Sequence, residues 1–346
     1  MRNEGSDLFT IKIPFKLIVM EEKKKQQRGE FSNKLEKHLK SENLAAVFAY
    51  AKDDKELDIQ FRSNYINIYY KGGNILKISP KKTVINLEFD KFYFYLDAKN
   101  GKENLWTRKT NIEKALKGDN RYKAHLNKNK AKEIIDKLNR EKNELIARLE
   151  KEGPAAYFSN AKHVMDEWFK HMKEEGIFKR NEKETQHKIS LLNKSFKDSD
   201  IIVLDVEYAV SQKSSYAIKE TTPRPDMIGL DKTGRIHIME LKYGIRSIKG
   251  SAGIVKHLED FEQTIQKDSK GEFKSEMKWL LEQKKRYGLI EEKEAFISEE
   301  KAPVFDLVFC NLDADERKSM GEEYRKYEGR INHIFYLQDD SLYLKG

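Results

Sequence analysis

Cysteine is almost missing from this chain of 346 residues: Cys310 is the only one. An intrachain disulfide framework is excluded, and so is any cysteine-rich zinc site. No apolar run approaches the roughly 20 residues that a membrane helix needs, so no span is expected. The opening MRNEGSDLFT lacks a basic stretch followed by an apolar run, so no secretory signal is expected either. The eight histidines form no H-E-x-x-H pair. There is no G-x-S-x-G nucleophile elbow, and Gly250-Ser251-Ala252-Gly253 has the wrong spacing for one. The glycines of Gly229 to Gly234 have phosphate-loop spacing but lack the following Lys-Ser/Thr pair, so they read as a hairpin turn. No internal repeat or low-complexity tract stands out. Together these absences point to a reducing compartment, most simply a cytoplasm, with no membrane partner.

Charge and apolar residues are both plentiful. Lys and Arg number 67 against 58 Asp and Glu, leaving a formal charge of +9. The charged fraction is 36%, yet hydrophobics at 38% and aromatics at 11% suffice for real cores. The length suggests two or three domains. The positive excess permits a polyanionic partner, and a solvated lysine-rich surface explains it equally well.

Residues 1–95 read as β-rich. Leu8 to Met20 is an extended stretch interrupted by Pro14, and Phe31, Leu35 and Leu39 predict a short amphipathic helix. Asn64 to Tyr70 and Asn74 to Ser79 flank Lys71-Gly72-Gly73, a hairpin signal. Val84 to Phe89 and Phe92 to Tyr95 continue the strand pattern. Residues 96–128 are polar and poorly patterned. A charged amphipathic helix over 129–153 follows, stopped by Gly153-Pro154. The predicted organisation is therefore a β-rich module over 1–128, a helical connector over 129–153, and an α/β domain over 154–346. That last part reads as helices near 155–174 and 182–195, strands at Ile201 to Val210, Asp226 to Leu230 and Arg235 to Tyr243, and helices at 251–267 and 272–287. A buried strand at Val304 to Cys310, a helix at 314–327, and strands at Ile331 to Leu337 and Leu342 to Leu344 close the chain. Strands bracketed by helices imply an α/β sheet covered on both faces. Cys310, inside its apolar strand, reads as a core residue.

The most informative segment is Pro225-Asp226-Met227-Ile228-Gly229-Leu230, followed by Ile236-His237-Ile238-Met239-Glu240-Leu241-Lys242. Two acids stand in adjacent strands joined by Asp231 to Gly234. Glu240 and Lys242 share a face with Ile236 and Ile238, since strand side chains alternate. Burying a carboxylate and an ammonium on so apolar a strand is costly unless they pair with each other, a metal or a ligand. Two carboxylates beside a lysine suit metal-assisted phosphodiester hydrolysis: hard oxygen ligands fit Mg2+, and the lysine can orient water or offset phosphoryl charge. A surface hairpin carrying a Glu–Lys pair is the plain alternative.

On these residues the chain resembles the PD-(D/E)XK phosphodiesterase superfamily, the restriction-endonuclease-like fold, over roughly 155–345. Pro225-Asp226 matches the first half of that motif and Glu240-Leu241-Lys242 the second. The resemblance implies an α+β or α/β architecture: the N-terminal β-rich module, then a restriction-endonuclease-like domain with a mixed central sheet flanked by helices. It implies that Asp226 and Glu240 bind Mg2+ (Mn2+ as a substitute), with the Leu241 carbonyl a further ligand, and that Lys242 assists the attacking water. The family's helix acid matches Glu184, with Glu182 its rival and Glu207 a weaker candidate. The helix that follows the E-x-K strand implies nucleic-acid contacts from Lys249, Lys256, His257 and Gln263, with Gly250 and Gly253 allowing close backbone approach. A glycine-rich loop and a charged helix face explain the same residues without function.

The expected activity is thus a Mg2+-dependent nuclease, with DNA favoured over RNA, in defence or mobile-element biology. A homodimer and a partner protein bound through the N-terminal module are further expectations. The alternatives are a nuclease-like fold that binds nucleic acid without cutting, and a protein-interaction protein whose E-x-K is accidental. Tyr65, Tyr69 and Tyr70 with Arg62, Lys71 and Lys77 form a candidate basic aromatic face, although ordinary sheet filling explains them better.

Overall fold

The computed structural model describes residues 28–81, 84–96, 105–117, 126–174, 181–209, 214, 224–244 and 253–345. The extended stretch expected over Leu8 to Met20 lies outside the described residues, as do Lys249 and Gly250.

Ser32 starts α1 (Asn33–Leu39) by accepting the Leu35 amide, and Leu35 and Leu39 are buried as their spacing predicts. After α2 (Glu42–Asp53) come β1 (Leu57–Arg62), β2 (Tyr65–Tyr70), β3 (Gly73–Pro80) and β4 (Ile85–Glu88), an antiparallel sheet in chain order. Lys71 (φ 45°) and Gly72 (φ 70°) both take the left-handed conformation that the tight β2–β3 turn demands. The strand pattern does not continue through Phe92 to Tyr95. There Asp90 accepts the Phe92 amide and nucleates a 3-10 turn over Lys91–Phe94, while Phe92 anchors in a satellite core. That core is completed by Ile112 and Ala115 of α3 (Leu105–Leu116), a helix in the stretch that showed no pattern, and by Ala131, Ile135 and Leu138 of α4 (Lys128–Lys151). Gly153 (φ 89°) ends α4, and Pro154 opens α5 (Pro154–Glu174). Although the sequence groups α5 with the C-terminal domain, the helix packs on the N-terminal sheet. Tyr157 donates to the Ile75 carbonyl (2.7 Å), Tyr70 to Asp166 (2.9 Å), and Lys162 to Asp54 (2.7 Å) and Glu56 (2.8 Å).

The second sheet is mixed. After α6 (Asn181–Leu192) come β5 (Ile201–Val206), β6 (Met227–Asp231) and β7 (Ile236–Tyr243), all antiparallel neighbours. Then α7 (Ile254–Lys267) and α8 (Glu272–Arg286) lead to β8 (Val304–Cys310), parallel to β7, and α9 (Ala314–Tyr324) leads to β9 (His333–Leu337), parallel to β8. The strand order is β5-β6-β7-β8-β9. Leu342 to Leu344 forms no strand ladder: Asn193 ties down the Leu342 carbonyl (2.9 Å) and the Leu344 amide (2.8 Å), so side-chain bonds replace strand pairing. The chain is therefore mixed α+β. No described helix is long and apolar enough to cross a membrane.

Alternation along β7 decides what each face meets. Ile236 and Ile238 join a core that runs continuously from Phe31, Phe61 and Ile66 of the N-terminal part to Leu204, Phe305 and Leu307. Met239 and Leu241 point into a separate core with Val203, Val308 and Cys310. The two sheets thus share apolar packing, and Glu240 and Lys242 lie on the shared side.

Candidate metal centre

The β6–β7 turn sets the register. Asp231 accepts the Thr233 (2.8 Å) and Arg235 (2.9 Å) amides through one carboxylate oxygen, and Gly234 (φ 80°) supplies the left-handed step. A Cβ at Gly234 would lie 2.9 Å from the Phe296 carbonyl oxygen, so close packing there also requires glycine. Met227 pairs with Met239, and one further step along that register sets Asp226 opposite Glu240. The Gly244 amide bonds to the Cys310 carbonyl on β8, so the odd-numbered residues Leu241 and Tyr243 turn their backbone groups to the other edge. β6 begins only at Met227, and in place of a strand partner the Leu241 amide donates to Asp226 Oδ2 at 2.8 Å. The Leu241 carbonyl faces that same edge.

Glu240 and Lys242 are 2% and 5% exposed. Lys242 Nζ lies 2.6 Å from Glu240 Oε1, and His257 Nε2, on α7, lies 3.2 Å from the same oxygen. Glu240 Oε2 is buried without a hydrogen-bond partner. Burial pushes the Glu240 carboxyl up to about 7; Lys242 pulls against that rise and Glu182 adds to it. Burial and the facing Glu240 raise Asp226 well above the usual carboxylate range, despite the Leu241 amide and Lys242. Lys242 is raised as well: burial alone would lower it, and Glu240 outweighs burial. Burial thus favours the protonated form of both acids.

The helix acids separate clearly. Glu184 is half-exposed and pairs with Lys188 at 3.2 Å. Glu182 is the helix acid whose charge acts on Asp226, Glu240 and Lys242. Glu207 pairs with Lys183 at 2.9 Å. On α7, Lys256 is engaged by Asp260, one turn away. Gln263 is exposed, six residues beyond His257, or about 9 Å along the helix. The structure thus brings together Asp226, Glu240, Leu241, Lys242 and His257, and leaves Glu184, Lys256 and Gln263 to other partners or to solvent. The tyrosine and cation set is engaged internally: Lys77 lies over Tyr65 and Lys71 over Tyr70, and buried Arg62 bonds to Asp205.

Two contributors escaped the sequence. Gln186 donates to the Asp226 carbonyl (2.5 Å); its position four residues after Glu182, on the same helix face, is the signal that could have found it. Asp205, fully buried in an apolar strand, carries the same warning sign as Glu240. A small cavity opens beside Glu240, bounded by Arg224, Pro225, His257 and the rings of Tyr208, Phe261, Phe273 and Phe305.

The donor set fits a hard divalent cation. Its ligands are oxygens, one carboxylate oxygen of Glu240 is buried, and a cation would offset the charge of two acids that burial pushes toward the neutral form. Among the described residues no three His, Cys, Asp or Glu side chains gather as a metal cluster, so carbonyl and water oxygens would complete the shell. Compared with protein-family models, curated proteins and solved structures, the chain matches none.

Proposed function

We propose that the chain is a Mg2+-dependent nuclease of the restriction-endonuclease-like class, hydrolysing phosphodiester bonds of nucleic acid, with DNA as the favoured substrate. One observation carries the proposal: Asp226, one residue before β6, stands opposite Glu240 of β7, with Lys242 held 2.6 Å from Glu240 and Glu240 and Lys242 both buried. A mixed sheet, an acid-bearing helix before the core strands and a helix after the E-x-K strand support the same class.

Asp226, Glu240 and the Leu241 carbonyl would hold the cation, with Mn2+ able to replace Mg2+. When bound, the cation would polarise a phosphoryl oxygen and offset charge on the leaving group. The protein's own residues do the positioning. Leu241 fixes the Asp226 carboxylate through its amide. Lys242 stays charged because Glu240 holds it, and an ammonium has three donors. The donors not used by Glu240 can orient water or receive a phosphate oxygen. His257 can place a further donor beside Glu240. Glu182 takes the role of helix acid in this proposal, in place of Glu184.

The test is cleavage of plasmid and single-stranded DNA in Mg2+, comparing wild type with Asp226→Asn and Lys242→Ala. Wild type should cut, chelator should abolish cutting, and each variant should lose at least a hundredfold in rate. Binding should weaken steeply with salt. Equal activity in all three proteins refutes the assignment. Salt-sensitive binding without cleavage favours a nucleic-acid-binding protein instead.

A further inference from the structure

We propose that Arg62 of β1, supported by Arg28, is a positioning residue for Asp226, which makes the N-terminal sheet part of the frame of the metal centre. The proposal rests on the nuclease reading above and adds what holds its first acid in place.

Arg62 and Asp205 are buried, at 5% and 0% exposure. Arg62 donates to Asp205 Oδ1 (2.8 Å) and to the Val206 carbonyl (3.0 Å), and Tyr69 receives a further bond (3.3 Å). Arg28 pairs with the other Asp205 oxygen and reaches the same Val206 carbonyl (3.4 Å). Asp205 Oδ1 also accepts the Val206 amide (2.9 Å). Side chains thus grip both backbone groups of Val206, at the very end of β5. The next residue, Glu207, takes a left-handed conformation (φ 48°) that a glutamate holds only when its surroundings compel it. That bend aims the Glu207 amide at the Asp226 carbonyl, 2.8 Å away.

A second arm reaches the same carbonyl. Gln186 of α6 donates to it, and α6 is seated on the same N-terminal sheet. Ser190 donates to Asp58 (2.7 Å), and Gln60 donates to Ser190 (3.3 Å). At the β2–β3 turn a Cβ on Gly72 would lie 2.5 Å from the Lys183 carbonyl, so the turn abuts the first turn of α6. Both donors to the Asp226 carbonyl therefore hang from the N-terminal sheet. A guanidinium is needed at position 62 because its planar fork bonds a carboxylate and a carbonyl at once; an ammonium satisfies the charge without fixing the geometry.

The test measures Mn2+ affinity by calorimetry, kcat and KM on DNA, and the thermal transition, for wild type, Arg62→Gln, Arg62→Lys, Gly72→Ala and Tyr69→Phe. Asp205 keeps Arg28 in both Arg62 variants. If Arg62→Gln does not fold, Tyr69→Phe reads the same bond more gently. Positioning predicts Mn2+ binding and kcat each down about tenfold in Arg62→Gln and Gly72→Ala, with KM within twofold and no rescue by lysine. Tyr69→Phe should move in the same direction by a smaller factor. Folded variants with wild-type Mn2+ affinity and kcat overturn the proposal, as does a change confined to KM or full rescue by Arg62→Lys. A wild type that neither binds Mn2+ nor cuts DNA overturns the nuclease reading itself, a result separable from all of these.

Discussion

Replacing Glu240 by glutamine should change how stability depends on pH, in a direction that the burial of the site dictates. Burial lifts this carboxyl from 4.5 to about 7. The folded chain therefore holds the proton more tightly than the unfolded chain. The stability this contributes is fully present below pH 4.5 and is lost as pH rises through 7. A rise of this size corresponds to about 3 kcal/mol. Glutamine has no proton to lose. The stability of wild type relative to Glu240→Gln should thus fall by about 3 kcal/mol between pH 4 and pH 8. Urea unfolding in chelator at five pH values, fitted for both proteins, measures this difference; titrations of groups that do not touch Glu240 cancel from it, and what remains belongs to Glu240 and the neighbours coupled to it, Asp226 and Lys242. Asp226, raised in the same direction, should give Asp226→Asn the same sign. Mg2+ at a hundredfold excess over its Kd should return about 2.7 kcal/mol to wild type at pH 8 and much less to the variant. A difference independent of pH, or one that grows in favour of wild type as pH rises, refutes the account of the site as a desolvated pair of acids.

Two further outcomes follow from the packing. Gly229 lies on β6 where a Cβ would meet Ile201 Cγ2 at 2.4 Å and Met239 Cε at 2.8 Å. Gly229→Ala should cost about 1–3 kcal/mol in chemical denaturation, and wild-type stability would contradict that contact. Cys310 is fully buried, and burial pushes its thiol up to about 12. Its labelling by a disulfide reagent should follow global unfolding, and rapid labelling of the folded protein would show that the strand is open to solvent.

What the sequence determined by itself was local. The β6–β7 hairpin was legible because turn chemistry at Asp231 to Gly234 acts over a few residues, and counting back from the turn sets Asp226 against Glu240. The stripes of α1 and α4 and the apolar strand holding Cys310 were legible for the same reason: periodicity is a property of neighbouring residues. The 3-10 turn at Phe92 was hidden, because aromatic residues favour strands until a capping acid and a nearby core claim them. The sequence placed Glu184 ahead of Glu182 by motif match alone. Two positions on a helix differ by about 200° in facing, and only the seating of Thr185, Gln186, Ile189 and Ser190 sets which acid turns to the site. Tertiary structure alone decided that the N-terminal sheet packs against the segment that holds Asp226. Arg62 and Asp205 stand 143 residues apart, and a buried ion pair between two sheets leaves no periodic trace in either strand.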